Sequence, residues 1–510
     1  METKPRLAAV LEIGSTGIRL LVAEISGDGR WKVLDRAGKP VALGRDVFTS
    51  GRVSRESLIE CLAVLGNYRE FLAGWGIADE DVHSIATSAL RVARNRDIFV
   101  DRVRRETGFG LSIVEGIEEN RLMYLAVRFA LKNDVPLFWR ANSMIIEVGG
   151  GSTEIMLLRR GRLVAAHSLK LGTILIGQVL KTGIARVQER YLSENIRNTS
   201  ELLSSELELA HVRVFVMAGN DARLASFQVG TELNEHCRLV SRQNFIDFAG
   251  EIQNYSIDEC MQKLKISFAE AEGFVSGVLV CKLFLERTSA AQVIVPLTSL
   301  REGLLIDMAQ GIDPYLQEEF FSQIIASAVN LGRKYHFDEP HNRHVANLCM
   351  VLFDALSREH GMTRRERMML EVAALLHDIG MFVRASGHQL HGQYIVVNSE
   401  IFGLHREEID IISNVIRYHR GDPPSPTDID YIALEREGRI LVLKMASILR
   451  VADALDGGHS QRIKTIKVER KSETVALHTG DSRDLSLELM GLEEKAGLFQ
   501  DVFGYKVILS

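Results

Sequence analysis

The sequence predicts a duplicated α/β unit followed by an all-α domain and a small α+β tail, and three observations carry that expectation. An apolar strand ending in Glu, an apolar residue, Gly and hydroxyls occurs twice, as Leu11-Glu12-Ile13-Gly14-Ser15-Thr16 and as Ile146-Glu147-Val148-Gly149-Gly150-Gly151-Ser152-Thr153. Each copy is followed by the same alternation of strand and helix patterns. Beyond Pro314 the strand patterns stop, and helix follows helix to about Asp456.

In the first copy Ile18-Arg19-Leu20-Leu21-Val22 continues as a second strand and Trp31-Lys32-Val33-Leu34-Asp35 as a third. Ser54 caps a helix whose Leu58, Leu62 and Leu65 share a stripe ending near Gly74. Strands at 82–86 and 111–114, a helix at 97–106 and another from Glu118 complete the order β-β-β-α-β-α-β-α. The second copy repeats it, with strands at 144–148, 154–158, 162–167, 212–217 and 293–296. Its helices run through 187–209, 243–253 and 268–285 and from Leu300. That order is the ribonuclease-H-like unit found in actin-like ATPases, so residues 1–132 and 133–310 are expected to form ribonuclease-H-like domains I and II. Residues 311–458 are expected to be all-α, and 459–510 a tail with strands at 463–469, 474–477 and 485–489. The tail's Arg462, Lys464, Lys467, Arg470 and Lys471 read as a solvated strand face rather than an anion track.

A chain of 510 residues exceeds one core, and 46% hydrophobic with 25% charged residues describes an ordinary globular protein. Its five cysteines lack metal or disulfide spacing and are expected to be reduced core residues. The first residues lead into a strand without a signal segment, and no apolar run reaches membrane-spanning length, so a cytoplasmic protein without a membrane partner is expected. A net charge of -6 argues against nucleic acid as a partner and leaves any anionic substrate dependent on a local basic lining.

The two loops carry phosphate chemistry. Glycines let backbone N–H groups converge on a polyanion, Ser and Thr add donors, and carboxylates can hold a divalent cation against the phosphate charge. A P-loop turns into a helix. Here the chain after Thr153 continues Glu154-Ile155-Met156-Leu157-Leu158 and returns through Arg160-Gly161, so each loop is a strand–turn–strand. Elsewhere in the first half, Arg91 in Ala86-Thr87-Ser88-Ala89-Leu90-Arg91 follows a strand and could fork onto a phosphate. Glu118 and Glu119 open a helix, where one could orient an attacking water or both could merely complement the helix N-terminus.

Taken together, the Ile13-Gly14-Ser15-Thr16 loop, the Thr87 to Asn95 stretch, Gly116 to Tyr124, Glu147 to Glu154 and Ser299-Leu300-Arg301-Glu302-Gly303-Leu304 resemble the exopolyphosphatase and guanosine pentaphosphate phosphatase family. The resemblance runs from residue 7 to about 456 and belongs to the sugar-kinase/actin/heat-shock superfamily. It implies release of terminal orthophosphate from inorganic polyphosphate, or of the 5′-terminal phosphate from pppGpp, with Mg2+, by a homodimer. It places the catalytic glutamate on Glu119, a second acid on Glu154 and the phosphate-gripping arginine on Arg91. Phosphate binding falls on Gly14, Ser15, Thr16, Gly149, Gly150, Gly151, Ser152 and Thr153. Where the family has Asp in both loops this chain has Glu12 and Glu147, expected as a matched adjustment that keeps the metal at the cleft. Met217-Ala218-Gly219-Asn220-Asp221-Ala222 also departs from the family's Gly-Ser-Gly-Thr-like turn.

In the helical region His344, His377-Asp378, His391, His419 and Asp453 follow in an order that resembles the metal-dependent HD phosphohydrolases. That resemblance implies a divalent transition metal, Mn, Fe, Co, Ni or Zn. His388, one turn from His391, has no role assigned to it. Two alternatives stand beside a hydrolase at the paired loops. In one, the loops sense a phosphorylated ligand and the HD region hydrolyses. In the other, the chain is a non-catalytic binder of guanosine polyphosphates or polyphosphate. A sugar or acetate kinase is disfavoured by the Glu118-Glu119 segment and the missing glycine turn.

Overall fold

A computed structural model describes residues 5–131, 134–179, 185–204, 206–310, 314–480 and 484–509. The expected boundaries at 132/133 and 310/311 fall on or beside residues outside that description. The chain divides into two compact units, 1–320 and 321–510.

The first unit holds two sheets. Strands β1 (Arg6–Gly14), β2 (Gly17–Ile25), β3 (Trp31–Pro40), β4 (Val82–Ala86) and β5 (Leu111–Ile113) are ordered β3-β2-β1-β4-β5. The first three are antiparallel, and β4 and β5 run parallel to β1. The second sheet contains β6 (Asn142–Val148), β7 (Thr153–Arg159), β8 (Arg162–Leu169), β9 (Val212–Ala218), β10 (Thr231–Asn234), β11 (Cys237–Ser241) and β12 (Gln292–Pro296). Its order is β10-β11-β12-β9-β6-β7-β8. Read from β8 to β12 it repeats the first sheet, with the β10–β11 hairpin added at the outer edge. The duplication is therefore physical, and the added hairpin is an element the sequence pattern did not reveal.

Apolar alternation explains the cores. Ala9, Leu11, Ile13, Leu20 and Val22 bury one face of the first sheet beneath helices Arg55–Trp75 and Arg96–Thr107. Ala8, Val10, Leu21 and Ala23 bury the other against helix Leu300–Gln310. Ser54 accepts from the Ser57 N–H and caps its helix as expected. Helix Leu43–Ser50, absent from the sequence reading, lays Phe48 against the second glycine loop, where a Cβ on Gly151 would meet the ring at 2.2 Å.

In the second unit helices run from Phe321 to Ala454 without an intervening strand among the described residues. Strands β13 (Ile466–Arg470), β14 (Thr474–Thr479) and β15 (Lys506–Leu509) form its small sheet. The strand expected at 485–489 is instead helix Ser486–Lys495. The Leu485, Leu487, Leu489 alternation misled, because the buried positions are Glu488 and Leu492, spaced by one helical turn, while Leu487, Leu489 and Met490 are exposed.

A glycine contact sets how closely the second lobe's hairpin turn packs on the segment that follows its third strand. A Cβ on Gly172 would lie 2.3 Å from the Gly151 backbone carbon, an approach no other residue tolerates. Gly172→Ala is expected to destabilise the protein by about 3 kcal/mol in denaturant titration, through backbone displacement rather than lost burial.

Candidate functional site

Two hairpin turns face each other across a cavity of about 330 Å³ in the first unit. The β1–β2 turn brings Gly14, Ser15 and Thr16 to it, and the β6–β7 turn brings Gly149, Gly150 and Ser152. A Cβ on Gly150 would stand 2.9 Å from the Ser15 Cβ, so the loops are in contact. Ser15 Oγ also shares a 3.0 Å hydrogen bond with Ser88 Oγ.

Glu119 reaches the cavity from helix Gly116–Leu131, whose start lies against the second lobe because Gly116 has no Cβ; one there would be 2.7 Å from Ser168. Glu118 turns away and is held by both ends of the Arg121 guanidinium at 2.7 and 2.6 Å. The carboxylate pair thus resolves into one inward and one structural member.

Arg91 donates to the Glu119 carboxylate and, at 2.8 Å, to the Val114 carbonyl, and its Nη2 lies 4.0 Å from Glu154. Glu154 accepts from Ser168 Oγ at 2.8 Å and from Asn120 Nδ2 at 3.1 Å. Burial raises the Glu119 carboxyl above the ordinary range, against the pull of Arg91. Burial and the neighbouring Glu119 raise Glu154 further.

The cross-strand positions differ between the lobes. Glu12 pairs across the hairpin with Arg19 and lies 3.5 Å from its guanidinium and 3.4 Å from Arg301. Glu147 pairs across with Glu154. Glu147 lines the cavity with no hydrogen bond or ion pair among the described residues, and burial, then Glu119 and Glu12, push it up to about 8. Its unengaged carboxylate fits a magnesium ion that takes its remaining ligands from phosphate and water.

Three positions expected to bind phosphate are placed otherwise. Gly151 packs on Phe48 and is not on the cavity lining. Thr153 is fully buried and donates its hydroxyl to the Leu171 carbonyl, because the strand pleat turns it inward. Arg91 faces the carboxylates and is likewise off the lining. Four cations the sequence reading missed, Arg19, Lys39, Arg223 and Arg301, line the cavity instead. Arg301 belongs to the Ser299 to Leu304 motif, and its Nε lies 3.2 Å from Ser299 Oγ.

The second unit contains a buried histidine and aspartate cluster. Asp378 Oδ2 lies 3.8 Å from His341 Nε2 and 3.6 Å from His377 Nε2, and its Oδ1 lies 3.0 and 3.7 Å from His388 and His419 Nε2. Asp453 Oδ1 faces His341 and His377 at 3.8 and 3.7 Å. The other ring nitrogens of His377, His388 and His419 each meet the carbonyl three residues back, at 2.8, 2.9 and 2.7 Å. His341 Nδ1 meets Asp456 at 2.8 Å. Those bonds turn every Nε2 into shared space. Burial pulls His377 down, but Asp378 and Asp453 outweigh it and lift it to about 9, while burial and then His377 push His419 down to about 3.

His341, not His344, and His388, not His391, join this cluster. Three residues along a helix rotate a side chain by about 60° and move it by about 4.5 Å, enough to take it out of reach. Nothing in the residue spacing singled out His388 over His391; Gly380, where a Cβ would lie 2.0 Å from the His388 carbonyl, lets the two segments pack closely.

Residues 21–311 match the profile of the Ppx/GppA phosphatase family, and residues 325–495 match Ppx/GppA phosphatase, domain III. A guanosine-5'-triphosphate,3'-diphosphate pyrophosphatase of Pseudoalteromonas atlantica is 24% identical over 469 residues, 87% of this chain and 86% of the relative. The protein of the same name from Vibrio atlanticus is 23% identical over 463 residues, covering 87% of each chain. The crystal structure of an exopolyphosphatase from Cytophaga hutchinsonii aligns with a TM-score of 0.55 at 19% identity, covering 60% of this chain and 98% of that one, a likeness of fold.

Glu147 generates a stability prediction. Its folded-state value of about 8 exceeds its unfolded one, so the folded state binds more protons and stability falls as pH rises from about 4.5 to 8. Glu147→Gln is expected to stabilise the ligand-free protein by a few kcal/mol at pH above 8, since each tenfold weakening of the acid on folding corresponds to about 1.4 kcal/mol. Little change is expected below pH 4.5, and denaturant melts at the two pH values check this.

Proposed function

We propose, from the premise that this chain belongs to the Ppx/GppA phosphatase family, that it releases terminal orthophosphate from guanosine pentaphosphate, inorganic polyphosphate or both. It is a phosphoanhydride hydrolase, as the names of its relatives indicate. The observation that carries the reading is Glu119, a carboxylate on the cavity wall between two glycine hairpins and held by Arg91. In this reading the protein works in the cytoplasm as a homodimer.

The hairpin N–H groups and hydroxyls receive the terminal phosphates, and Arg19 and Arg301 neutralise charge that Glu12 alone would repel. Glu119 orients a water and accepts its proton as the water oxygen bonds to phosphorus and the bridging P–O bond breaks. The shortened polyphosphate leaves with the bridging oxygen. Arg91 keeps Glu119 ionised against the burial that raises it, and positions it. Magnesium, held at Glu147 and the substrate phosphates, would supply further neutralisation of the developing charge.

Glu119→Ala is expected to slow phosphate release by about 10²- to 10⁴-fold on pppGpp and polyphosphate, while Asp378→Ala retains it. Because Glu119 must be ionised, the rate should climb with pH along a limb above the ordinary carboxylate range. Arg91→Met should move that limb higher. A dead Asp378→Ala beside an unaffected Glu119→Ala would transfer the chemistry to the second unit.

A second reading is favoured by the buried Nε2 atoms of His341 and His377, which have no hydrogen-bond partner among the described residues. They fit a divalent transition metal, Mn, Fe, Co, Ni or Zn, held with Asp378 and Asp453, as in the HD phosphohydrolases. His388 and His419, beside the other oxygen of Asp378, suit a second ion. Bound metal there would polarise a phosphoryl oxygen and acidify a water. Elemental analysis should find metal in the wild type and a loss in His377→Ala, whose phosphate release at the cleft persists.

A further inference from the structure

We propose that Lys495 is a positioning residue that sets which metal the histidine and aspartate cluster of the second unit takes. The proposal rests on the metal reading above and adds to it the tail helix Ser486–Lys495, to which that reading gives no part.

Lys495 Nζ donates to Asp453 Oδ2 at 2.5 Å, and the pair is largely closed to solvent, with the lysine side chain 16% and the aspartate 8% exposed. The opposite oxygen, Oδ1, is the one that faces the unpartnered Nε2 atoms of His341 and His377. The carboxylate is therefore divided, one oxygen held by an ammonium and the other presented to the imidazoles. A protonated lysine has three donors and no lone pair, so it cannot be a ligand itself. It can only decide how Asp453 binds.

The local packing aims it there. Helix Arg436–Ala454 carries Asp453 in its last turn, and Gly491 lies against that turn, where a Cβ would be 3.2 Å from the Ala454 carbonyl. Leu492, one position on, is buried, so the helix is seated and Lys495 one turn later points at the carboxylate. Asp378 contrasts with Asp453: its two oxygens each face imidazoles.

An Asp453 confined to one oxygen gives the His341–His377 side a donor set of few, well-directed nitrogen and oxygen atoms. That set suits zinc, which is content with four ligands, over manganese, which prefers more oxygens. Freeing Oδ2 would let the carboxylate bind through both oxygens and would remove a positive charge from beside the dication.

The test uses the full chain dialysed against zinc and manganese together, with metal analysis of wild type, Lys495→Met and Lys495→Arg, each checked for folding by thermal melt. Lys495→Met is expected to shift the zinc-to-manganese partition towards manganese by about tenfold, with a manganese EPR signal the wild type lacks under the same competition. Lys495→Arg keeps a cation on Oδ2 and should match the wild type. Lys495→Gln, which keeps a neutral donor, should shift in the methionine direction and serves if the methionine variant does not fold. Metal bound by all forms in an unchanged ratio overturns this inference alone. A wild type that binds neither metal removes the metal reading and this inference with it.

Discussion

The cleft gathers four carboxylates into one cavity, and the cations around them decide how much of that charge is balanced. Glu12, Glu119, Glu147 and Glu154 all line one cavity, and burial raises the last three. Isolated, such a cluster would hold its protons. The lobes solve this unequally. The first neutralises its own strand pair, Glu12 against Arg19, whereas the second sets Glu147 opposite Glu154 and has no cation in register. Arg91 of the first lobe therefore serves Glu119 and reaches towards Glu154. The electrostatics of either half are incomplete without the other.

That interdependence explains why several glycines lie where surfaces approach closely. Gly116 lets the Glu119 helix touch Ser168, Gly150 meets Ser15, and Gly172 lies on the Gly151 backbone. Each removes a Cβ where one lobe meets the other or one loop meets its own neighbour. Charges that must share neutralising partners over about 3 to 4 Å cannot tolerate an added methyl between the surfaces that carry them. Packing and electrostatics are one constraint here.

Most of the architecture was legible because burial leaves a period in the sequence. The repeated β-β-β-α-β-α-β-α order follows from strand and helix periodicities that nothing local contradicts. Where the pattern and the burial diverge, the reading failed: Leu485, Leu487 and Leu489 alternate like a strand yet sit on a helix that buries Glu488 and Leu492. The hairpin β10–β11 was missed because Thr231, Glu232 and Leu233 are exposed and carry no apolar alternation. In the site, residue type was legible and orientation was not. Gly151 and Thr153 sit in the right turn but face a phenyl ring and a carbonyl, and His341 rather than His344 points at Asp378.

The two clusters also show why a motif is a weak guide to the ion it would hold. At the cleft the carboxylates have no imidazole among them, and the hairpins leave room for phosphate oxygens, so a hard cation that brings its own ligands fits. In the second unit the imidazoles are locked by bonds to their own backbone, which fixes the Nε2 directions before any ion arrives. The same carboxylate chemistry stands beside oxygen donors in one unit and nitrogen donors in the other. What separates them is the set of side chains packed around each carboxylate, a property that a spacing of His and Asp along the chain does not record.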